Sequence, residues 1–188
     1  MKFTTSLFFI VALICVAGIY HLFETRTEVL QEYIGYARRY GPTAKADSVR
    51  RVIAAYSVQL HQLRNQGDWE SCANFAAGRG SVSNHEADQE FRRALVSLGD
   101  SESQDLTSEF SKEVAKSVRN KIWRQILRAE QLPDDLNLIA RSMRSNDNSD
   151  RQRTCILFDD FYLYLLEEGH SAEMLPVGRL WLSTIGES

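Results

Sequence analysis

Cys155-Ile156-Leu157-Phe158-Asp159-Asp160-Phe161-Tyr162-Leu163-Tyr164-Leu165-Leu166 is the most apolar run in the folded part of the chain, and its reading decides the fold class. The aromatics would suit a buried strand, but the run is long for one and its apolar positions recur in helical phase. It is therefore read as a helix. Little polar face is left to it, which places it centrally, and Gly169 is expected to end it.

Outward from this run the same three- and four-residue spacing recurs. Leu30, Tyr33, Ile34, Ala37 and Tyr40 form one stripe, stopped at Gly41-Pro42 because proline disfavours helical geometry in the residue before it. Val49, Val52, Ile53, Tyr56, Leu60 and Leu63 form a second, ended by Gly67. Asp68 is placed to cap a short helix carrying Trp69, Cys72, Ala73 and Ala76, with Gly78-Arg79-Gly80 as its stop. Ser83 with Glu86 matches a capping box before Ala87, Phe91, Ala94, Leu95 and Leu98.

A long helix is expected from Leu106 to Ala129 on the stripe Phe110, Val114, Val118, Ile122 and Ile126, bounded by Pro133. Leu136, Ile139, Ala140 and Met143 give a short one, and Ser145 to Asp150 reads as loop by composition. Val177, Leu180, Trp181 and Ile185 supply a last amphipathic turn or two. No period-two alternation with hairpin turn residues occurs. The expected fold is all-α, an irregular bundle of about six to eight helices.

The chain has 188 residues, 44% hydrophobic and 25% charged, as in an ordinary folded protein. Its net charge is −3, or −4 beyond Phe23 once Lys2 is removed from the count (−3 − 1 = −4). A mildly acidic domain argues against binding nucleic acid by bulk phosphate attraction.

Between Phe3 and Phe23 there is no Lys, Arg, Asp or Glu, and Lys2 precedes the segment. Residues 1–23 are therefore read as a hydrophobic signal-anchor or signal peptide, and 24–188 as an exported helical domain. As a helix the segment spans roughly 31 Å, enough to cross the hydrocarbon layer. Small residues at Cys15-Val16-Ala17 or Val16-Ala17-Gly18 offer a cleavage site. Cleavage there would leave the apolar start Ile19-Tyr20-His21-Leu22-Phe23, which an uncleaved anchor accounts for directly. Ile14, bulky before Cys15, disfavours a lipoprotein. The expected place is the membrane, with the C-terminal domain extracytoplasmic, or secreted if the segment is cut.

Cys72 and Cys155 both fall in phase with buried stripes, so export into an oxidising compartment predicts a bridge between them. Two buried free thiols are the alternative.

Signatures of catalysis and metal binding are mostly missing: no phosphate loop with Lys-Ser or Lys-Thr, no HExxH, no paired CxxC and no GxSxG. No cofactor is implied. Ala77-Gly78-Arg79-Gly80-Ser81 has the glycines and the arginine to wrap an anion, but a helix stop needs the same residues. His85 stands near Glu86 and Asp88, where helix-dipole placement explains the acids as well as a metal would. Asp159-Asp160 is the most notable polar pair, read as one carboxylate in water and the other on an arginine among Arg141, Arg151 and Arg153. His61 and His170 read as surface histidines. Lys112, Lys116, Arg119, Lys121, Arg124 and Arg128 oppose the single acid Glu113 and form a positive face for an anionic partner, which an exposed Trp123 would strengthen.

The resulting expectation is a membrane-tethered or exported helical accessory module that binds a protein partner and acts without catalysis. The alternatives are an exported hydrolase-like enzyme assembling His85, Asp159, Asp160 and His170, or a lipid or small-molecule carrier with an apolar cavity between its helices.

Overall fold

The computed structural model describes residues 33–78, 85–99 and 111–185, and of 85–88 the backbone only. The chain divides into two units, Met1–Gly35 and Tyr36–Ser188, and the helices below belong to the second. The expected anchor, residues 1–23, lies outside the described residues, as does the stop at Arg79-Gly80. Among the described residues no helix is long and apolar enough to cross a membrane.

All regular structure among the described residues is helical. Residues 36–40 are helical and pass into a 3-10 turn at Gly41–Thr43. Then follow α1 (Ala46–Gln66), α2 (Trp69–Ala76), α3 (His85–Val96), α4 (Lys112–Ala129), α5 (Leu136–Arg144), α6 (Asn148–Leu166) and α7 (Ser171–Thr184), with a 3-10 turn at Glu168–His170 before α7. Gly67 ends α1 in the left-handed region at φ 69°, which only glycine adopts without strain, and Asp68 then caps α2 by accepting from the Ser71 amide.

Four boundaries differ from expectation. Helix α4 begins at Lys112, because extended Ser111 accepts from the Val114 amide as its N-cap. Helix α6 begins at Asn148, inside the stretch read as loop: Asp147 accepts from the Ser149 amide at 2.8 Å, so a loop-like composition serves as a cap. Helix α7 is longer than expected and contains Pro176 in its second turn. Gly169 sits in the following 3-10 turn, three residues past the end of α6.

Helix α6 is the centre, packing against α1, α2, α4, α5 and α7. Its buried residues cover somewhat more than half of its circumference: Thr154, Cys155, Leu157, Asp159, Phe161, Tyr162 and Leu165. Helices α1 and α7 pack so closely that a Cβ on Gly178 would run into Val49 and Ile53. Tyr56 of α1 gathers the core aromatics, with ring centres 4.5 Å from Phe75, 4.9 Å from Tyr162 and 4.8 Å from Trp181. Its hydroxyl donates to the Phe75 carbonyl at 2.7 Å, and burial pushes the phenol far above its ordinary pKa.

Cys72 of α2 and Cys155 of α6 are bonded, with Cα atoms 5.4 Å apart and both residues fully buried. The bridge spans 83 positions of sequence. Loop-closure entropy for that span gives roughly 4.5 kcal/mol as an upper value. Replacing both cysteines by alanine is expected to lower the unfolding free energy by about 2–4.5 kcal/mol in urea titration. A loss below about 1 kcal/mol would show that the bridge adds little beyond packing.

Candidate functional site

Two places in the domain hold conspicuous side chains. The first lies between α1 and α6, where Asp159 is fully buried. A carboxylate there loses its hydration and must be paired. Arg64 Nη1 donates to Asp159 Oδ2 at 2.9 Å and to Asp160 Oδ1 at 2.7 Å, so one guanidinium holds both acids. His61, one turn earlier on α1, places Nδ1 3.1 Å from the same Asp159 oxygen. Partial burial pulls the Arg64 guanidinium down, but the hydrogen bonds and charges of Asp160 and Asp159 outweigh it and raise its pKa.

This corrects the expected partner. Arg151 pairs with Glu70, Arg153 with Asp150, and Arg141 with Asp135, while the aspartates meet Arg64 across the helix interface. His61 is correspondingly a partner of Asp159, half-exposed rather than isolated. The group is a clamp: one guanidinium holds both carboxylates, and Asp159 is sealed from solvent with its Oδ1 left without a hydrogen-bond partner.

The second place is a cleft of about 330 Å³ between α4, α5, α6 and α7. Trp123, Ile139, Met143, Phe158, Phe161, Val177 and Trp181 contribute apolar and aromatic walls, and Arg119, Asn120 and Thr184 the polar part. Trp123 is only 7% exposed and stacks on Phe161 with ring centres 4.1 Å apart. The exposed tryptophan that would have strengthened the basic face is thus a wall of the cleft. The stripe of α4 is turned by one position from that expected. Ala115, Ile122, Trp123, Ile126 and Leu127 are buried, whereas Val114 is 58% exposed.

The basic run of α4 divides accordingly. Lys121, Arg124 and Arg128 lie along one line at steps of three and four, and each faces a carboxylate. Lys121 is 4.0 Å from Glu173, and Arg124 and Arg128 are 3.5 and 2.8 Å from Asp134. Lys112, Lys116 and Arg119 form the opposite line, which continues to Trp123. None of the three meets a carboxylate among the described residues. Arg119, half-buried at the cleft, donates to the Asn120 side chain at 3.3 Å, and burial lowers its pKa from the ordinary arginine value.

The remaining sequence candidates do not join either place. His170 stacks on Tyr164 at 3.7 Å between ring centres, and its Nδ1 donates to the Tyr164 carbonyl at 2.9 Å. It is therefore held at the end of α6 and is no lone surface histidine. His85 opens α3, but the side chains of His85, Glu86 and Asp88 lie outside the described residues. Among the described residues no three His, Cys, Asp or Glu side chains gather where they would hold a metal ion. The cleft itself was missed from sequence. Its signal was in α5, whose stripe of Leu136, Ile139, Ala140 and Met143 leaves only Ile139 fully buried.

Comparison with protein-family models, with curated proteins and with solved structures found no match for this chain.

Because Arg64 neutralises a fully buried carboxylate, Arg64→Ala is expected to destabilise the domain by about 3 kcal/mol. Arg151→Ala, which opens the surface contact to Glu70, is expected to cost under about 0.5 kcal/mol. Equal losses in denaturant titration would contradict the clamp.

Proposed function

We propose that this chain is a tethered or exported helical binding module of the cell envelope, and that the cleft between α4 and α7 receives apolar anchor side chains of a protein partner. The observation that carries this reading is the cleft, an aromatic-walled opening between four helices. Rigid aromatic walls suit an anchor residue, because little side-chain freedom remains to be lost when it enters.

Two further features support it. The notable polar groups are committed to holding helices together: Arg64 pins Asp159 and Asp160, and Arg50 donates to the Leu166 carbonyl at 2.6 Å at the end of α6. The Cys72–Cys155 bridge accords with an oxidising compartment, and the apolar segment Phe3 to Phe23 with export or tethering.

A carrier of small molecules is the second reading, favoured by the same cleft, whose volume stands at the low end of ligand pockets. The two differ in what touches the rim. A photo-crosslinking residue at Thr184, in the cleft wall, is expected to capture a discrete protein in intact cells, and one at Val58 of α1 is not. Filling the mouth by Ala140→Trp is expected to abolish the Thr184 adduct with the melting temperature held within about 3 °C. Equal adducts from Thr184 and Val58, or a Thr184 adduct unchanged by Ala140→Trp, would contradict the proposal.

A further inference from the structure

The two lines of charge on α4 carry a statement about the partner's chemistry, one that rests on the cleft being the binding site. Lys121, Arg124 and Arg128 are already neutralised by Glu173 and Asp134. Lys112 and Lys116 are exposed, and with Arg119 they lead along one face of the helix to Trp123 in the cleft wall. Among the described residues no carboxylate of a neighbouring element pairs with this line. Lys112 and Lys116 occupy the first turns of α4, where the helix dipole is already positive and where acids would be favoured; Glu113 is the one acid there. Three like charges at steps of four and three also repel one another. Like charges with no carboxylate partner among the described residues fit a surface neutralised from outside.

We infer that Lys112, Lys116 and Arg119 together with the cleft form one recognition surface for an acidic protein segment that ends in an apolar anchor. The anchor enters the cleft beside Trp123, and carboxylates of the same segment lie along the lysines. Arg119, at the junction, is the position that joins the two halves: its guanidinium can take a carboxylate in a two-pronged hydrogen bond while its stem borders apolar wall. The size of the segment follows from the geometry. Lys112 to Trp123 covers about 16 Å at about 1.5 Å per helical residue, which an extended chain crosses in about five residues. The recognised unit is therefore three or four acidic residues followed by one or two large apolar ones.

The test uses the full chain in nanodiscs of zwitterionic lipid and two synthetic peptides, four glutamates followed by Leu-Trp, and the same peptide with glutamines in place of the glutamates. Anisotropy titration is expected to show the acidic peptide binding about tenfold more tightly than the amide one at low salt, with the ratio shrinking at physiological salt. The triple change Lys112→Gln, Lys116→Gln, Arg119→Gln is expected to bring the ratio near one while the amide peptide keeps its affinity. The triple change Lys121→Gln, Arg124→Gln, Arg128→Gln, equal in charge, is expected to alter it by less than about twofold. Equal binding of the two peptides to the unaltered chain would overturn the inference and leave the cleft standing. Equal losses from both triple changes would reduce it to bulk charge and overturn it. Binding of neither peptide would overturn the inference and the cleft reading together. Capture of the chain by phosphatidylglycerol vesicles, lost with the first triple change while neither peptide binds, would assign the line to a membrane surface instead.

Discussion

A carboxylate at the centre of the most apolar helix is the constraint on which the rest depends. Asp159 has no access to water, so the helix that carries it is stable only where another element delivers a cation to that point. Arg64 does so from the last turn of α1, and in doing so also takes Asp160. That pairing sets how α1 lies against α6. Cys155, one turn before Asp159 on the same side of α6, then meets Cys72 of α2, so charge pairing and covalent bond fasten neighbouring points of one interface. With α1 and α2 fastened there, Phe158 and Phe161 of α6 are left for α4 and α5, and it is against these that the cleft opens.

The division of labour in α4 follows from the same packing. Its buried face is anchored by Ile122, Trp123, Ile126 and Leu127. Among the described residues, the acids of neighbouring elements that reach α4, Glu173 and Asp134, meet the side that carries Lys121, Arg124 and Arg128. The other basic line runs from exposed Lys112 and Lys116 to half-buried Arg119 and ends on aromatic walls. Charge and apolar surface thus adjoin at Arg119, as recognition of a mixed acidic and apolar segment would require.

Much of the architecture was legible in the sequence because it rests on local rules. Helical spacing set the fold class, Gly67 and Asp68 marked a boundary through left-handed geometry and capping, and both cysteines fell in phase with buried stripes. What escaped was non-local or ambiguous in kind. Arg64 stands 95 positions from Asp159, and nothing in its neighbourhood distinguishes it from any arginine at a helix end. The run Ser145 to Asp150 has the composition of a loop and of a cap alike, and only Asp147 bonding to Ser149 decides between them. The stripe of α4 slipped by one position because Val114 and Val118 looked apolar enough to face inward. The bulk of Trp123, seated on Phe161, turns the helix the other way. A cleft is the hardest feature of all to see in a sequence, being the space that several distant side chains fail to fill.

On the proposed reading, α1 and α2 with one side of α6 support the domain, and the cleft bounded by α4, α5, α7 and the other side of α6 takes the partner. Hydrogen–deuterium exchange of the full chain, with and without a segment bound, measures this most directly. Added protection is expected only in α4, α5 and α7 around the cleft, with the stretch from His61 to Arg64 unchanged. Protection centred on His61, Arg64 and Asp159 would contradict it, making the buried clamp the working site and the cleft incidental.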